Sequence, residues 1–315
     1  MPLYSPLSTD YQTPDPGVFF SQLRQLHPSA CALRAIYDCS NRYQPTMPLS
    51  CLTPTQKVQQ FCADHKCIVE TCQCSNIFVN YHIGYTSVEC EQIEELTRGQ
   101  SNNTNWHSMR KGLLTASNYH KILHSTNMNR TAESLLRCNS FDGDFIPDAV
   151  RFGRCFESKA RDMFMKAHRF SHRGNVSVNI PGLIISLEDP ILACSPDGIV
   201  DCKHCGKFIV EIKCLYKYKH FHPKNALKLS TICTSTEDGG LQLRHSHAYF
   251  AQVQGQMGVT GLRKCMLVGY THKGICSVPV EFDDEFWQNA KPLFYKFYTD
   301  AYFAVLKNMF VHDSK

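Results

Sequence analysis

An aspartate, a glutamate and a lysine stand at a spacing that could hold a divalent metal ion beside a phosphate. Asp197 follows the apolar segment 191–195, and Glu211-Ile212-Lys213 lies fourteen residues further on, ending a second apolar run. Because side chains alternate along a strand, Glu211 and Lys213 share one face while Ile212 points into the core. Two carboxylates suit Mg²⁺, which also binds phosphate oxygens. The lysine could then orient or deprotonate a metal-bound water that attacks a phosphodiester.

The segment 201–206 separates the two apolar runs and is polar and turn-rich, as expected for a β-hairpin. We expect 191–195 and 208–212 to be the paired strands of that hairpin. The same spacing also has a structural interpretation. Pro-Asp-Gly is a common turn sequence, and a cross-strand ion pair on an exposed hairpin would contribute only ~0–1 kcal/mol.

Further sequence blocks accompany this pattern in a fixed order along the chain. Five blocks carry the signal: 106–117, 152–160, 195–198, 211–214 and 249–257. Together they resemble the YqaJ-like viral recombinase domain, a family related to phage lambda exonuclease within the PD-(D/E)xK nuclease superfamily. The resemblance covers residues 104–310. It implies a restriction-endonuclease-like core, in which helices flank a mixed β-sheet.

The resemblance also implies a role for each member of the site. Asp197 and Glu211 are expected to bind the metal directly, together with the backbone carbonyl of Ile212. Glu157 is expected to be a supporting ligand, although a lone glutamate on a helix is usually a surface residue. Lys213 would position the attacking water or transfer its proton. The expected catalytic set is Asp197, Glu211, Lys213, Gln252 and Glu157, with Mg²⁺ as the cofactor and Mn²⁺ as a substitute.

Three glutamines occupy alternate positions of the 249–257 block. On a helix, Gln252 and Gln256 share a face, whereas Gln254 is rotated by roughly 200° from Gln252. By resemblance, Gln252 orients Lys213 or the attacking water, and a neutral amide suits this task because it leaves the charge at the metal unchanged. We expect Gln254 to serve the structure. Simple helix capping is the alternative for Gln254 and Gln256.

The resemblance further implies a pocket for the terminal 5′-phosphate of DNA. The matching positions are Arg110, Ser117, Ser195 and Lys219. Lambda exonuclease has arginine where this chain has Lys219, so the bidentate fork is lost but the charge remains. Ser117 is near a helix start, where phosphate binds readily, and capping of that helix is its alternative role. Leu215, in place of a proline, and the longer connection 197–211 also depart from the family pattern.

The composition permits a polyanionic partner. The net charge is +5 and the pI about 8.4, and no long apolar run suits a membrane span. Because the N-terminus lacks the layout of a secretory signal, we expect an intracellular protein, nuclear or cytoplasmic, without a membrane partner. Lysines and aromatic residues crowd the segment 213–228 beside the expected site. That arrangement suits nucleic acid, although a solvated lysine-rich loop explains the composition equally well.

Seventeen cysteines stand out in a chain without secretory features, and we interpret them as thiols. Two arrangements could bind zinc: Cys202-Lys-His-Cys205, and the cluster of Cys62, Cys67, Cys72 and Cys74 with His65. A structural zinc site requires four ligands. Cys202 and Cys205 lack an obvious second pair, although Cys194 and Cys214 could lie near them on the hairpin. We therefore expect no bound zinc.

The element pattern divides the chain near residue 100. Residues 1–100 are predicted to be a mainly helical, cysteine-containing extension of unknown role, with a helix over 19–37 interrupted at Pro28. Residues 101–315 hold the nuclease-like blocks. Helices are expected near 55–63, 87–96, 115–123, 149–164, 246–259 and 283–309, and strands near 176–180, 183–187, 191–195, 207–213, 264–271 and 275–281. The expected fold class is α/β (α+β).

These observations predict a Mg²⁺-dependent DNA nuclease of the viral-recombinase type, a 5′→3′ exonuclease that acts on double-stranded DNA ends in recombination, repair or mobile-element processing. A structure-specific endonuclease and a catalytically idle module that binds DNA or protein are the alternatives. The intact set of Asp197, Glu211, Lys213 and Gln252 argues against the idle module. A second copy of the chain and a recombination partner protein are further candidate partners.

Overall fold

The computed structural model describes residues 51–65, 74–137, 146–172 and 176–311. The helix predicted over 19–37 and two cysteines of the N-terminal cluster, Cys67 and Cys72, lie outside the described residues. In chain order the strands are β1 (Leu114–Thr115), β2 (Val176–Asn179), β3 (Ile184–Ile185), β4 (Leu192–Cys194), β5 (Gly198–Cys202), β6 (Gly206–Cys214), β7 (Cys233–Ser235), β8 (Leu241–Leu243), β9 (Lys264–Thr271) and β10 (Gly274–Glu281).

Five of these strands form the main sheet, in the order β10-β9-β6-β5-β2. Strands β6 and β9 run parallel, whereas the other neighbouring pairs are antiparallel. A parallel pair requires a long crossover, and the chain between β6 and β9 supplies one. A mixed sheet of this kind confirms the expected α/β fold.

The hairpin is present, but its first strand differs from the expected one. Strand β5 pairs with β6, with Ile199 opposite Ile209. The segment predicted to be that strand forms β4 instead, which belongs to a separate three-stranded sheet with β1 and β3. Pro196 explains the break, because proline has no N–H to donate and ends the pairing. The turn into β5 therefore begins at Asp197.

The helices are α1 (Pro54–His65), α2 (Cys74–Tyr81), α3 (Ser87–Leu96), α4 (Thr104–Arg110), α5 (Tyr119–Leu123), α6 (Met128–Arg137), α7 (Asp148–His172), α8 (Pro223–Leu229), α9 (Ala248–Thr260), α10 (Asp284–Phe297) and α11 (Phe303–Val311). None of these helices is both long and apolar enough to cross a membrane. The terminal helix expected over 283–309 is divided by a π-helical turn at Tyr298–Tyr302.

Helix α7 is the longest helix that the structure describes, and it packs along β6. Its buried residues recur at helical spacing, with Phe152, Ala160, Phe164 and Met165 in one hydrophobic cluster with the sheet. The sequence predicted this helix to end at residue 164, but it continues for two further turns to His172.

The described part of the N-terminal extension shares a hydrophobic cluster with the C-terminal helices. Phe61 of α1 and Phe78 of α2 contact Phe303 of α11, with ring centroids 6.1 and 5.1 Å apart. All three are buried. Helices α1 and α2 therefore pack against the C-terminal helices, and the division near residue 100 stays a prediction about chain organisation.

Candidate active site

The expected metal-binding carboxylates meet where β5 begins. Because Gly198 pairs with Val210 in the antiparallel hairpin, the residue before it, Asp197, lies opposite Glu211. Oδ2 of Asp197 accepts a hydrogen bond from the backbone N–H of Ile212 at 2.6 Å. The hairpin register thus fixes the aspartate beside the middle of β6, as the sequence predicted for Asp197 and Glu211.

Glu211 is buried and receives three hydrogen bonds. Lys213 Nζ and Gln252 Nε2 each lie 2.6 Å from its Oε1. Gln256 Nε2 lies 2.7 Å from its Oε2. Lys213 also donates to Oε1 of Gln252 at 3.2 Å, and its Nζ stands 4.4 Å from the ring centroid of Tyr249. The structure therefore brings Lys213 and Gln252 to Glu211, as expected.

Gln256 is a member of this cluster that the sequence interpretation missed. The capping role considered for it is wrong, because its amide faces Glu211 and is buried. The available signal was the shared helix face of Gln252 and Gln256. Gln254 lies on another face, where it donates to the carbonyl of Glu281 and accepts from the N–H of Asp283, both at 2.9 Å. Those bonds agree with the structural role expected for Gln254.

Glu157 reaches the site from α7 through a buried arginine. Arg161, one helical turn further on, donates to Oε1 of Glu157 at 2.6 Å through Nη2 and to the backbone carbonyl of Asp197 at 2.8 Å through Nε. The arginine thus ties α7 to the start of β5 and holds Glu157 near Asp197. The sequence interpretation did not identify Arg161, although its i+4 spacing from Glu157 was visible.

The electrostatics of the cluster favour a bound cation. Burial, Glu211 and Glu157 raise the pKa of Asp197 well above its ordinary value, and burial raises the pKa of Glu157 as well. Burial by itself would lower the pKa of Lys213, but Glu211 and other neighbours raise it. One ammonium and one guanidinium therefore face three carboxylates. Hard oxygen donors of this kind fit Mg²⁺ or Mn²⁺.

A buried oxygen supports the same fit. Oε1 of Gln256 is buried and has no hydrogen-bond partner among the described residues. A buried amide oxygen of this kind costs free energy unless it meets a donor. Water molecules that surround a metal ion held by Asp197, Glu157 and Glu211 are suitable donors. The residues present therefore fit a hydrated divalent cation.

Three of the four expected phosphate-binding residues lie in one polar cluster. The guanidinium carbon of Arg110 stands 3.9 Å from the ring centroid of Trp106, whose Nε1 donates to Ser195 Oγ at 2.8 Å. Arg110 Nη2 lies 3.3 Å from Ser117 Oγ and 3.1 Å from Thr115 Oγ1. Burial lowers the pKa of Arg110 to about 10, so it stays charged near neutral pH.

The capping alternative for Ser117 is not realised, because the short helices that begin beside it have no side-chain cap. Lys219 contacts an aromatic ring. Its Nζ lies 4.3 Å from the ring centroid of Tyr216, and within the described ranges no hydrogen bond joins it to Arg110, Ser117 or Ser195. Its role in phosphate binding stays a prediction.

The fold and the carboxylate cluster together define a PD-(D/E)xK-type mixed α/β structure. The sequence model of the YqaJ-like viral recombinase domain matches residues 105–263, and the chain belongs to that family. This confirms the resemblance seen in the sequence blocks.

Curated relatives include two herpesvirus nucleases. The shutoff alkaline exonuclease of Epstein-Barr virus (strain GD1) is 31% identical over 141 residues, which are 42% of this chain and 28% of that protein. The alkaline nuclease of human herpesvirus 7 (strain JI) is 22% identical over 179 residues, which are 52% of this chain and 35% of that protein. The matched segments thus span about a third of these relatives.

Solved structures with similarity include two exonucleases. The alkaline exonuclease LHK-Exo from Laribacter hongkongensis has a TM-score of 0.45 and 19% identity, covering 66% of this chain and 96% of that chain. The shutoff and exonuclease protein from Kaposi's sarcoma-associated herpesvirus has a TM-score of 0.43 and 14% identity, covering 93% of this chain and 91% of that chain. At this level of similarity, neither structure assigns a role to any residue here.

Proposed function

We propose that this protein is a Mg²⁺- or Mn²⁺-dependent deoxyribonuclease that degrades double-stranded DNA from its ends in the 5′→3′ direction. The observation that carries the proposal is the cluster of Asp197 and Lys213 around the buried Glu211, completed by Gln252. The names of the two herpesvirus relatives, an alkaline exonuclease and an alkaline nuclease, support the same activity.

A divalent cation would be held by Asp197, Glu211 and Glu157, with the carbonyl of Ile212 as a further candidate ligand. When bound, it supplies a Lewis acid that lowers the pKa of a water molecule and neutralises charge on the phosphate. Gln252 and Gln256 fix the Glu211 carboxylate from opposite oxygens. The Glu211 carboxylate is therefore already in position to hold the cation before substrate binds.

Lys213 would position the attacking water. Because its pKa is raised, it is an ammonium near neutral pH, and an ammonium donates hydrogen bonds but does not take up a proton. The Glu211 carboxylate and the Gln252 amide oxygen hold it in place. Of the two roles expected for this lysine, water positioning suits the described geometry better than proton transfer.

The choice of an exonuclease over an endonuclease depends on Arg110, Ser117 and Ser195. Their shared cluster presents one guanidinium and several hydroxyl groups, which is suitable chemistry for a phosphate monoester at a DNA end. A terminal phosphate carries more negative charge than an internal phosphodiester, so a dedicated anion pocket selects chain ends. The structure-specific endonuclease is the alternative.

An assay with end-labelled linear duplex and closed circular duplex tests the proposal. In Mg²⁺ the linear DNA should be shortened progressively while the circle stays intact, and EDTA should stop the shortening of the linear DNA. Rapid linearisation of the circle would establish the endonuclease instead. Binding of both DNAs without any cleavage in Mg²⁺ or Mn²⁺ would establish the idle DNA-binding module.

A further inference from the structure

Two cysteines and two histidines converge at the turn between β5 and β6. Cys202 ends β5 and Cys205 precedes β6, while His168 and His172 occupy the last turns of α7. The four side chains each offer one ligand atom, and these atoms lie within 4.8 Å of one another. Cys205 Sγ is 3.8 Å from Nδ1 and 3.7 Å from Nε2 of His172.

The spacing of the two pairs explains why they meet. His168 and His172 are four residues apart, so they share one face of α7, and their ring centroids are 4.1 Å apart. Cys202 and Cys205 are separated by two residues in a tight turn, so both thiols can point to one side. Because α7 packs along β6, its C-terminal end brings both imidazoles to this turn.

One of the imidazoles has a buried nitrogen without a partner. Nε2 of His168 is excluded from solvent and makes no hydrogen bond to any described residue. Buried polar atoms are almost always satisfied, so such an atom requires an explanation. A metal ion on this nitrogen provides one, since the neutral imidazole nitrogen is a common zinc ligand.

We propose that Cys202, Cys205, His168 and His172 form a structural zinc site. Two thiolates and two imidazoles are a complete tetrahedral donor set, with the Cys-x₂-Cys and His-x₃-His spacings that zinc sites use. Zinc bond lengths of about 2.0–2.3 Å space the ligand atoms of a tetrahedron roughly 3.3–3.8 Å apart. The observed separations reach that range with small side-chain movements.

The second pair of ligands, His168 and His172, comes from α7 and not from the cysteines that the sequence suggested. Cys214 is at the opposite end of the nine-residue strand β6, about 26 Å from the turn at the usual rise per residue. Cys194 belongs to the other sheet. Neither can complete the site, whereas the histidines reach it because α7 extends to His172.

The zinc would tie the helix that carries Glu157 to the hairpin that carries Glu211. It would lie about 20 Å from Glu211 along β6, so it is separate from the cluster proposed to cut DNA. Its role there is to fasten two elements, because all four positions are filled by protein and none is open to substrate. The inference does not depend on the proposed nuclease activity.

Metal analysis of the full chain, purified with a reductant that does not bind metal, tests the proposal. We expect about one zinc per chain in the wild type, and background levels in the double variant Cys202→Ser/His172→Ala. His204→Ala is the matched control, because this histidine is in the same turn with its ring 5.8 Å from that of His172. Cys155→Ser, an exposed thiol on α7, is a second control. Both controls should retain zinc.

Cobalt substitution of the wild type keeps the test decisive if the double variant does not fold. Exchange of zinc for Co²⁺ should give the thiolate charge-transfer bands and the strong visible bands of a tetrahedral site. Carboxylate ligands cannot give thiolate bands. These bands therefore distinguish Co²⁺ at the proposed zinc site from Co²⁺ bound by the carboxylates of the nuclease cluster. Zinc removal should also lower the melting temperature reversibly.

Wild-type protein that neither holds nor takes up stoichiometric zinc would overturn the proposal, as would Co²⁺ spectra without thiolate bands. Zinc retained by the double variant would also overturn it, and zinc lost from His204→Ala would overturn this ligand set.

Discussion

Gln256 donates its side-chain N–H to Oε2 of Glu211 at 2.7 Å, and both residues are buried. The bond reaches the carboxylate oxygen that Lys213 and Gln252 do not contact. A carboxylate held at both oxygens has one orientation, and loss of a group that orients a metal ligand typically costs about 10–100-fold in metal affinity or activity. Gln256 is therefore expected to be a positioning residue for the nuclease site.

We expect Gln256→Met to lower the rate of DNA cleavage by about 10–100-fold, because the side chain keeps its size but no longer fixes Glu211. Gln254→Met is the matched control on the same helix. Its bonds join α9 to the end of β10, so it should lower the melting temperature and leave the Mg²⁺ dependence of cleavage unchanged. Initial rates across a Mg²⁺ titration measure both effects. Equal loss of rate in the two variants would rule out a specific role for Gln256.

Arg110→Ala should remove most of the preference for 5′-phosphorylated over 5′-hydroxyl ends. A charge-assisted contact of this kind contributes roughly 1.5–3 kcal/mol, or about a ten- to hundred-fold change in rate ratio. Lys219→Ala should have a smaller effect, because Lys219 is not joined to the Arg110 cluster. Competition between the two kinds of end in one reaction measures the preference. A wild type indifferent to the 5′ group would contradict the phosphate pocket.

Metal binding should become stronger as the pH rises. Burial and the nearby Glu211 and Glu157 raise the pKa of Asp197. Its protonated form therefore stabilises the metal-free fold below the unfolded-state pKa of about 3.9, and this contribution is lost as the pH rises through the folded-state pKa. A divalent cation competes with that proton.

We therefore expect Mg²⁺ to raise the melting temperature more at about pH 8 than at about pH 5.5. Asp197→Asn has no such proton to lose, so its Mg²⁺-induced shift should be smaller and depend less on pH, with the raised pKa of Glu157 as the remaining contribution. Thermal melting without DNA measures both. A wild-type shift that stays constant over this range would show that Asp197 is not coupled to the metal.

Two glycines on helices should respond in opposite directions to alanine. A Cβ at Gly258 of α9 would overlap the indole of Trp287, whereas a Cβ at Gly153 of α7 would meet nothing within 4 Å. Gly258→Ala should lower the free energy of unfolding by about 1–3 kcal/mol through overpacking. Gly153→Ala should raise it by about 0.5–1 kcal/mol through helix propensity. Urea unfolding measures both, and stabilisation by Gly258→Ala would contradict the packing of α9 on α10.

The sequence was sufficient to predict those site residues whose placement follows from strand alternation or from the family's sequence blocks. Glu211 and Lys213 lie on one face of β6 as predicted, and Gln252 reaches them from α9. The prediction of which strand pairs with β6 was wrong. The apolar run before Pro196 does form a strand, but that strand, β4, belongs to another sheet.

The remaining residues of the two sites are brought together by tertiary packing, which the sequence pattern did not show. His168 and His172 lie 37 and 33 residues before Cys205 in sequence, and they meet that cysteine only because α7 continues past residue 164. The hydrophobic pattern did not show that continuation. Likewise, the helix face of Gln256 was clear, but its burial against Glu211 depends on how α9 packs on the sheet.

The most direct test of the account is the cleavage rate of the Glu211→Gln protein on 5′-phosphorylated linear duplex in Mg²⁺. The substitution preserves the shape of the side chain but removes the charge that would hold the metal and Lys213. We expect the variant to remain folded and to bind DNA while its cleavage rate falls by at least about 10²–10³-fold. A folded Glu211→Gln protein that cuts this DNA at the wild-type rate would contradict the assignment of the site.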